Sequence, residues 1–289
     1  VPDIYAVGDA VQIKNFVTGK PALISLAGPA NKEGRIAADN ICGKESRYGG
    51  GQGSSVIKIF GMTAACTGIN ERTAKETGID ADKVILSPMN HAGYYPGGKI
   101  MTMKVIFEKG TFRLLGAQIA GSDGVDKRID VIAVALRAGM KATELKDLDL
   151  AYAPPYSSAK DPVNMAGYII ENIRDGIVKQ WYYEEESVLP GDGSVTLLDT
   201  RTAAEYSGGH IEGFRNIPVD ELRERIGEIE KGKPVYVICQ SGLRSYIASR
   251  ILSGYGFEVY NFAGGFRFYD AVKNDHILSQ KATECGKEV

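Results

Sequence analysis

Cys239 opens the run Cys239-Gln240-Ser241-Gly242-Leu243-Arg244-Ser245, the stretch of this chain best suited to covalent chemistry. The cysteine supplies a sulfur nucleophile, and Gly242 lets a loop close tightly around it. Arg244 offers a planar fork of N–H donors to an anion, and Ser241 and Ser245 add hydroxyls. The preceding Val235-Tyr-Val-Ile238 reads as a buried parallel strand, and beyond the loop Ile247, Ala248, Ile251 and Leu252 recur at helical spacing. Strand, tight loop and helix place the sulfur where open α/β sheets hold ligands. Loop N–H groups and the positive end of a helix dipole converge there and favour negative charge. The competing reading is a structural cysteine, since free cysteine is among the most buried residue types. The arginine and the two serines weigh against it.

This run resembles the active loop of the rhodanese family of sulfurtransferases, Cys-x-x-Gly-x-Arg-Ser. The resemblance implies that Cys239 carries a persulfide within a loop made by Gln240, Ser241, Gly242, Leu243 and Ser245, with Arg244 stabilising the anion. Four residues separate Cys239 from Arg244, and the tyrosine-phosphatase relatives of this fold use a longer loop to cradle phosphate. The short loop therefore favours sulfur transfer over phosphate or arsenate chemistry. Asp199-Thr-Arg201, Glu205-Tyr206, Gly209-His210-Ile-Glu-Gly213, Asn216-Ile-Pro218 and Gly264-Gly265 match further landmarks of the same fold. Asp199, Arg201 and His210 are then supports that fix loops. Phe214-Arg215 departs from the family pattern and should affect packing more than chemistry.

The totals narrow the class. A chain of 289 residues is long for one core and suggests two domains. With 34 basic against 36 acidic residues, it lacks the surplus of positive charge that a nucleic-acid surface needs. No apolar run approaches a membrane span, and no secretory signal opens the chain. Cys42, Cys66, Cys239 and Cys285 are scattered without Cys-x-x-Cys or a His/Cys cluster, so neither a disulfide framework nor a metal site is expected. A reducing cytoplasm suits them. The chain starts at Val1, and Ile4-Tyr-Ala-Val7 reads as a strand with almost no lead-in, as in the C-terminal part of a longer polypeptide.

That strand ends in Gly8-Asp9-Ala10, and Pro29 to Ile41 reads as a helix. Together they resemble the second FAD fingerprint of the pyridine nucleotide–disulfide oxidoreductases. There the aspartate hydrogen-bonds a ribityl hydroxyl, and the helix turns its N-terminus toward the flavin. Gly8, Asp9 and Ala10 are the implied cofactor-binding residues. Gly49-Gly-Gly-Gln-Gly53 reads as a flexible linker. From Ser54, strands at Val56–Phe60, Ile100–Glu108 and Leu114–Ala120, with a helix carrying Val125, Ile129, Ile132 and Leu136, describe an α+β unit. Cys66 reads as a core residue of that unit.

Two proline-stiffened loops bear tyrosines: Asn90-His-Ala-Gly-Tyr94-Tyr95-Pro96-Gly97 and Leu150-Ala-Tyr152-Ala-Pro-Pro-Tyr156-Ser157. With the flavin end, they resemble the dimerisation domain of the coenzyme A–disulfide reductases. Tyr94 and Tyr152 then match two tyrosines that reach the other subunit's active site, where a phenol offers a proton or hydrogen bond to a departing sulfur. Simple packing of both phenols is the alternative. His91 reads as a loop hydrogen-bonder. Val163 to Tyr183 reads as a connecting helix with Met165, Ile169, Ile173 and Ile177 on one face, followed by a Pro/Gly-rich boundary.

The expected organisation is the tail of an FAD-binding α/β domain (1–49), an α+β dimerisation domain (50–163), a connecting helix and linker (164–190), and an α/β rhodanese-like domain with a parallel sheet (191–289). The resemblance implies a cytoplasmic homodimeric flavoenzyme using FAD and NAD(P)H. Its substrates would be coenzyme A disulfide, coenzyme A persulfide or polysulfide. The redox cysteine beside the flavin and the NAD-binding domain are not in this sequence, so the chain alone is expected to lack reductase activity. A second reading makes the rhodanese-like domain a non-catalytic persulfide-binding or docking module on a dimeric flavoprotein.

Overall fold

The computed structural model describes residues 4–285 and side chains as far as His276. The chain forms two compact units, one of residues 1–83 and 90–164, the other of residues 84–89 and 165–289. Among the described residues no helix is long and apolar enough to cross a membrane.

The first unit begins with a short antiparallel pair, β1 (Ile13–Lys14) and β2 (Pro21–Ala22), and helix α1 (Ala27–Ile41). The strand expected at Ile4–Val7 does not form. Its side chains are exposed, and among the described residues it has no strand to pair with, which an apolar run needs to become a sheet. Gly8–Ala10 forms one turn of 3₁₀ helix instead. The glycine-rich stretch is not a free linker either. Gly51 bridges Asn15 in parallel, and Gln52 is buried, donating to Thr67 Oγ1 and Ala133 O. Gly50 lies so close to Lys14 that an added Cβ would stand 2.4 Å from its carbonyl oxygen. These glycines serve close backbone approach, not freedom.

β3 (Ser55–Ile59), β4 (Met62–Gly68), α2 (Glu71–Thr77), β5 (Ala81–Leu86), β6 (Met101–Glu108), β7 (Leu114–Gly121) and α3 (Val125–Arg137) follow. The strands make one sheet in the order β3-β4-β7-β6-β5, with antiparallel ladders from β3 to β6. Asn70 caps α2 by accepting from Thr73 N. Met101, Met103, Val105 and Phe107 are buried as their alternation predicts, and Ile106 is buried too, so the end of β6 has both faces covered. Cys66 is only partly buried and contacts Ser55 Oγ at 3.2 Å. α3 buries Val125, Ile129, Ile132 and Leu136 as expected, together with Arg128.

α4 (Pro162–Arg174) ends nine residues before the sequence reading placed its end. Gly176 adopts a left-handed turn, and β8 (Lys179–Trp181) is an edge strand. The buried helix face is Val163, Ala166 and Ile170; Met165, Ile169 and Ile173 are only partly covered. The expected face runs one residue out of register with the observed one: the helix stops at Arg174, so Ile177 lies outside it and does not set the face. Beyond lie β9 (Thr196–Asp199), α5 (Ala203–Ser207), β10 (Arg215–Asn216), β11 (Val235–Ile238), α6 (Leu243–Gly254), β12 (Val259–Phe262) and α7 (Gly265–Cys285). Five parallel strands run in the order β10-β9-β11-β12-β8. Val235 and Val237 pack with Leu198, Ala248 and Leu252, while Ile238 packs with Trp181, Phe214 and Phe262, so both faces of β11 are apolar. The reading of Cys285 as an exposed bystander falls outside the described side chains.

Candidate functional site

Cys239 follows the last residue of β11, at the carboxyl edge of the sheet. The register Ile238↔Asp199 sets it beside the end of β9, where Thr200 N and Oγ1 both donate to Ile238 O. Cys239 is 1 % exposed, and its sulfur accepts from Gly242 N and from Ser245 Oγ, each at 3.2 Å. Gly242 is the N-cap of α6. A helix start and a serine one turn in thus aim their donors at the sulfur.

The loop is held from behind by residues that motif spacing alone did not single out. Phe266 N donates to Cys239 O at 2.8 Å, and Arg267 N to Gln240 O at 3.2 Å. With these carbonyls engaged by the first turn of α7, the loop is free to turn N–H groups inward. Gly265 must be glycine, because a Cβ there would meet Ser241 N at 2.6 Å. The Gly264-Gly265 pair was the available signal. On the other flank, buried Arg201 binds Asp199 at 2.7 Å, Gly209 O at 2.7 Å and Gln240 Oε1 at 3.3 Å, and stacks on Phe266. His210 stacks on Tyr206 and contacts its carbonyl oxygen. Phe214 is buried against Trp181.

Arg244 lies in the first turn of α6, but its fork does not bond the sulfur. Nη1 and Nη2 donate to the two carboxylate oxygens of Glu205 at 2.7 and 2.6 Å. Glu205 also closes the capping box of α5, accepting from Thr202 N and Oγ1. The Arg244 guanidinium, followed by the Thr202 donors, holds its carboxyl down to about 2. The same ion pair raises Arg244 above the ordinary arginine value. Gln240, Ser241 and Leu243 complete the loop, and Leu243 is exposed at its rim.

The tyrosine loops form a second constellation. Tyr94 and Tyr152, 58 positions apart, share a hydrogen bond of 2.7 Å between their hydroxyls and are both exposed. That bond holds the Tyr152 phenol protonated above its ordinary range. Arg128, 2 % exposed, joins the two loops from below. It donates to Asn90 O at 2.8 Å in one loop, to Ser157 Oγ at 3.3 Å in the other, and to Asp161 Oδ2 at 2.9 Å. Ala92 N donates to Ser157 O, and Asn90 is pinned by Asp123 and by Lys99 N. Desolvation opposes charge on Asp161, but bonds from Arg128 and Ser157 prevail and lower its pKa. The signal for Arg128 was a cation on the apolar stripe of α3, three residues past Val125 and four before Ile132. His91 is buried, contacts Ala92 O and packs edge-on against Tyr95.

At the amino end, Gly8 N donates to Glu33 Oε2 at 2.8 Å, which ties the Gly8–Ala10 turn to α1. The N-terminus of α1 carries no side-chain cap, and the Asp9 carboxylate is exposed.

Comparison with known proteins fits this division. Residues 54–162 match the pyridine nucleotide-disulphide oxidoreductase dimerisation domain, and residues 185–271 the rhodanese-like domain. A coenzyme A disulfide reductase of Staphylococcus epidermidis is 37 % identical over 169 residues, 58 % of this chain and 38 % of the relative. An NAD(P)H coenzyme A polysulfide/persulfide reductase of Pyrococcus horikoshii is 34 % identical over 171 residues, 59 % of this chain and 38 % of the relative. Among solved structures, reduced CoADR-RHD of Bacillus anthracis superposes with a TM-score of 0.91 at 46 % identity, covering 95 % of this chain and 49 % of that one. An NAD-dependent persulfide reductase from A. fulgidus gives 0.85 at 41 %, covering 92 % and 48 %. The chain thus spans about half of these structures and 38 % of the curated relatives. It carries a pyridine nucleotide–disulphide oxidoreductase dimerisation domain followed by a rhodanese-like domain.

Proposed function

We propose that this chain is the sulfur-handling part of an FAD- and NAD(P)H-dependent reductase of coenzyme A disulfide, persulfide or polysulfide, and that Cys239 carries sulfane sulfur. The observation that carries the reading is the sulfur at the end of β11, receiving Gly242 N–H and Ser245 Oγ–H. In the first step the Cys239 sulfur attacks the outer sulfur of a donor R–S–SH. The donor S–S bond breaks, its electron pair leaves with RS⁻, and Cys239 holds the persulfide. A thiolate acceptor then takes the outer sulfur and frees Cys239. The loop N–H groups and Ser245 stabilise the anionic sulfur at both ends of this cycle.

Tyr94 and Tyr152 offer a neutral, paired phenol that can donate to a departing sulfur, in keeping with the coenzyme A and persulfide substrates named for the relatives. The residues at the amino end fit a flavin: Asp9 has an exposed carboxylate for a hydroxyl, beside Gly8 and Ala10, and α1 presents an N-terminus without a side-chain cap to an electron-rich ring. Bound there, FAD would relay reducing equivalents from NAD(P)H. The domain limits that go with this reading are 1–49, 50–163, 164–190 and 191–289. Homodimerisation is supported by the family of residues 54–162 and by the exposed Val56, Ile57, Ile59 and Phe60 on and beside β3. A reducing cytoplasm suits the free thiols Cys42, Cys66 and Cys239.

The test is sulfur transfer to cyanide from thiosulfate and, separately, from an organic persulfide, comparing the chain with Cys239→Ser. Activity lost with the cysteine supports the reading. Equal turnover by both forms sinks it.

A further inference from the structure

Both arginines built into the walls of the Cys239 loop have their forks occupied by protein carboxylates. Arg201 is bound to Asp199, and Arg244 makes two parallel bonds to Glu205 at 2.6 and 2.7 Å. Among the described residues the sulfur receives uncharged donors, Gly242 N–H and Ser245 Oγ–H. Arg267 anchors Gln240 O through its backbone, and its side chain is exposed on the first turn of α7.

A sulfur donor that carries an oxyanion, such as thiosulfate, binds best where a guanidinium can offer both N–H groups to its oxygens. Here such a donor meets an arginine already neutralised. Displacing Glu205 is costly, because that carboxylate is also fixed by Thr202 N and Oγ1 and stays ionised throughout the neutral range. A donor with an uncharged tail needs no guanidinium and loses nothing.

We propose that Glu205 is a specificity-determining residue: by occupying the fork of Arg244 it selects organic persulfides over oxyanion donors at Cys239. The proposal rests on the sulfurtransferase reading above and deepens it. For thiosulfate the step is attack of the Cys239 sulfur on the outer sulfur, with S–S cleavage and departure of the electron pair on sulfite. Glu205 acts on it only through Arg244, as a positioning residue.

The test uses the full chain and two donors, thiosulfate and the persulfide of N-acetylcysteamine, with cyanide as acceptor. Glu205→Gln keeps the side-chain shape and an acceptor for Thr202 but removes the charge. We expect its KM for thiosulfate to fall by roughly three- to tenfold, the size of one charge contact at about 4 Å screened by water. The persulfide KM should move less than about twofold, since its tail makes no charge contact. Glu205→Asp should restore the original donor preference, and Glu205→Gln with Arg244→Gln should lose the gain. A merely structural role would move both donors together and would overturn the proposal.

A second readout does not depend on sulfur transfer. The rates at which Cys239 is alkylated by iodoacetate and by iodoacetamide, resolved by peptide mass spectrometry, give a ratio that reports charge at the sulfur. Glu205→Gln should raise that ratio; an unchanged ratio, or a cysteine inert to both reagents, overturns the proposal. A raised ratio with no transfer from either donor would defeat the sulfurtransferase reading while leaving the charge assigned to Glu205 in place.

Discussion

The Cys239 loop and the paired tyrosines solve the same problem, holding a reactive group in place, by opposite means. The cysteine is positioned by its neighbours in sequence: β11 delivers it, Gly242 closes the loop, and Ser245 reaches back from the first turn of α6. The tyrosines come from loops 58 positions apart and meet because buried Arg128 binds both. The first site is as robust as a strand–helix junction. The second is as robust as one ion pair and its hydrogen bonds.

That contrast can be broken most severely at the cysteine. Cys239→Ser should abolish sulfur transfer without changing thermal stability by more than about 1 kcal/mol, since the swap preserves shape and hydrogen-bonding capacity. Circular dichroism melts alongside turnover check this. Next in size is Arg128→Met. It leaves Asp161 buried without its cation, so stability of the first unit should fall by about 3–5 kcal/mol in denaturant titration. Arg128→Met with Asp161→Asn should recover part of that loss, because no charge is then stranded.

A smaller effect separates the two sites by pH. Glu205 is held at about 2 against the ordinary 4.5. A carboxyl depressed on folding contributes stability that is complete above its unfolded value and fades as pH falls from there toward the folded one. Wild type should therefore exceed Glu205→Gln by about 1–2 kcal/mol above pH ~5.5, after discounting for partial exposure, with the gap closing between about pH 4.5 and 2. Smallest is Tyr94→Phe. It should return the Tyr152 titration toward an ordinary phenol, read by ultraviolet absorbance, and leave the melting curve essentially unmoved because the pair is exposed.

How much was legible follows the same divide. Cys239 and Gly242 lie on adjacent elements, so the strand–loop–helix reading brought loop N–H groups to the sulfur, whereas which of the two serines reaches it came from the structure. Asp199 and Arg201 were legible as supports only through the resemblance of Asp199-Thr-Arg201 to the rhodanese landmarks; the parallel register that sets them beside the Cys239 strand end came from the structure. What spacing could not show was that Arg244 faces Glu205, 39 positions earlier, since a fork of donors says nothing about which carboxylate reaches it first. Arg128 hid within an apolar stripe. Gly49–Gly53 misled because glycine permits both freedom and close contact, and only the neighbours Lys14 and Gln52 decide which. Ile4–Val7 misled because strand propensity is empty without a partner strand.

Trp181 carries a consequence for how the second unit can be dissected. Its indole is wholly buried, 4.4 Å from the ring of Phe262 and stacked on Phe214, and its strand pairs with β12. The family match begins at residue 185, after that strand has ended. A protein expressed from residue 185 would leave β12 as a bare edge and an open hollow where the indole sat, inviting self-association. One begun at Gly176 would keep both closed. The portable module, the piece that could be moved into another chain and still fold, is therefore longer at its start than the stretch by which kinship is recognised.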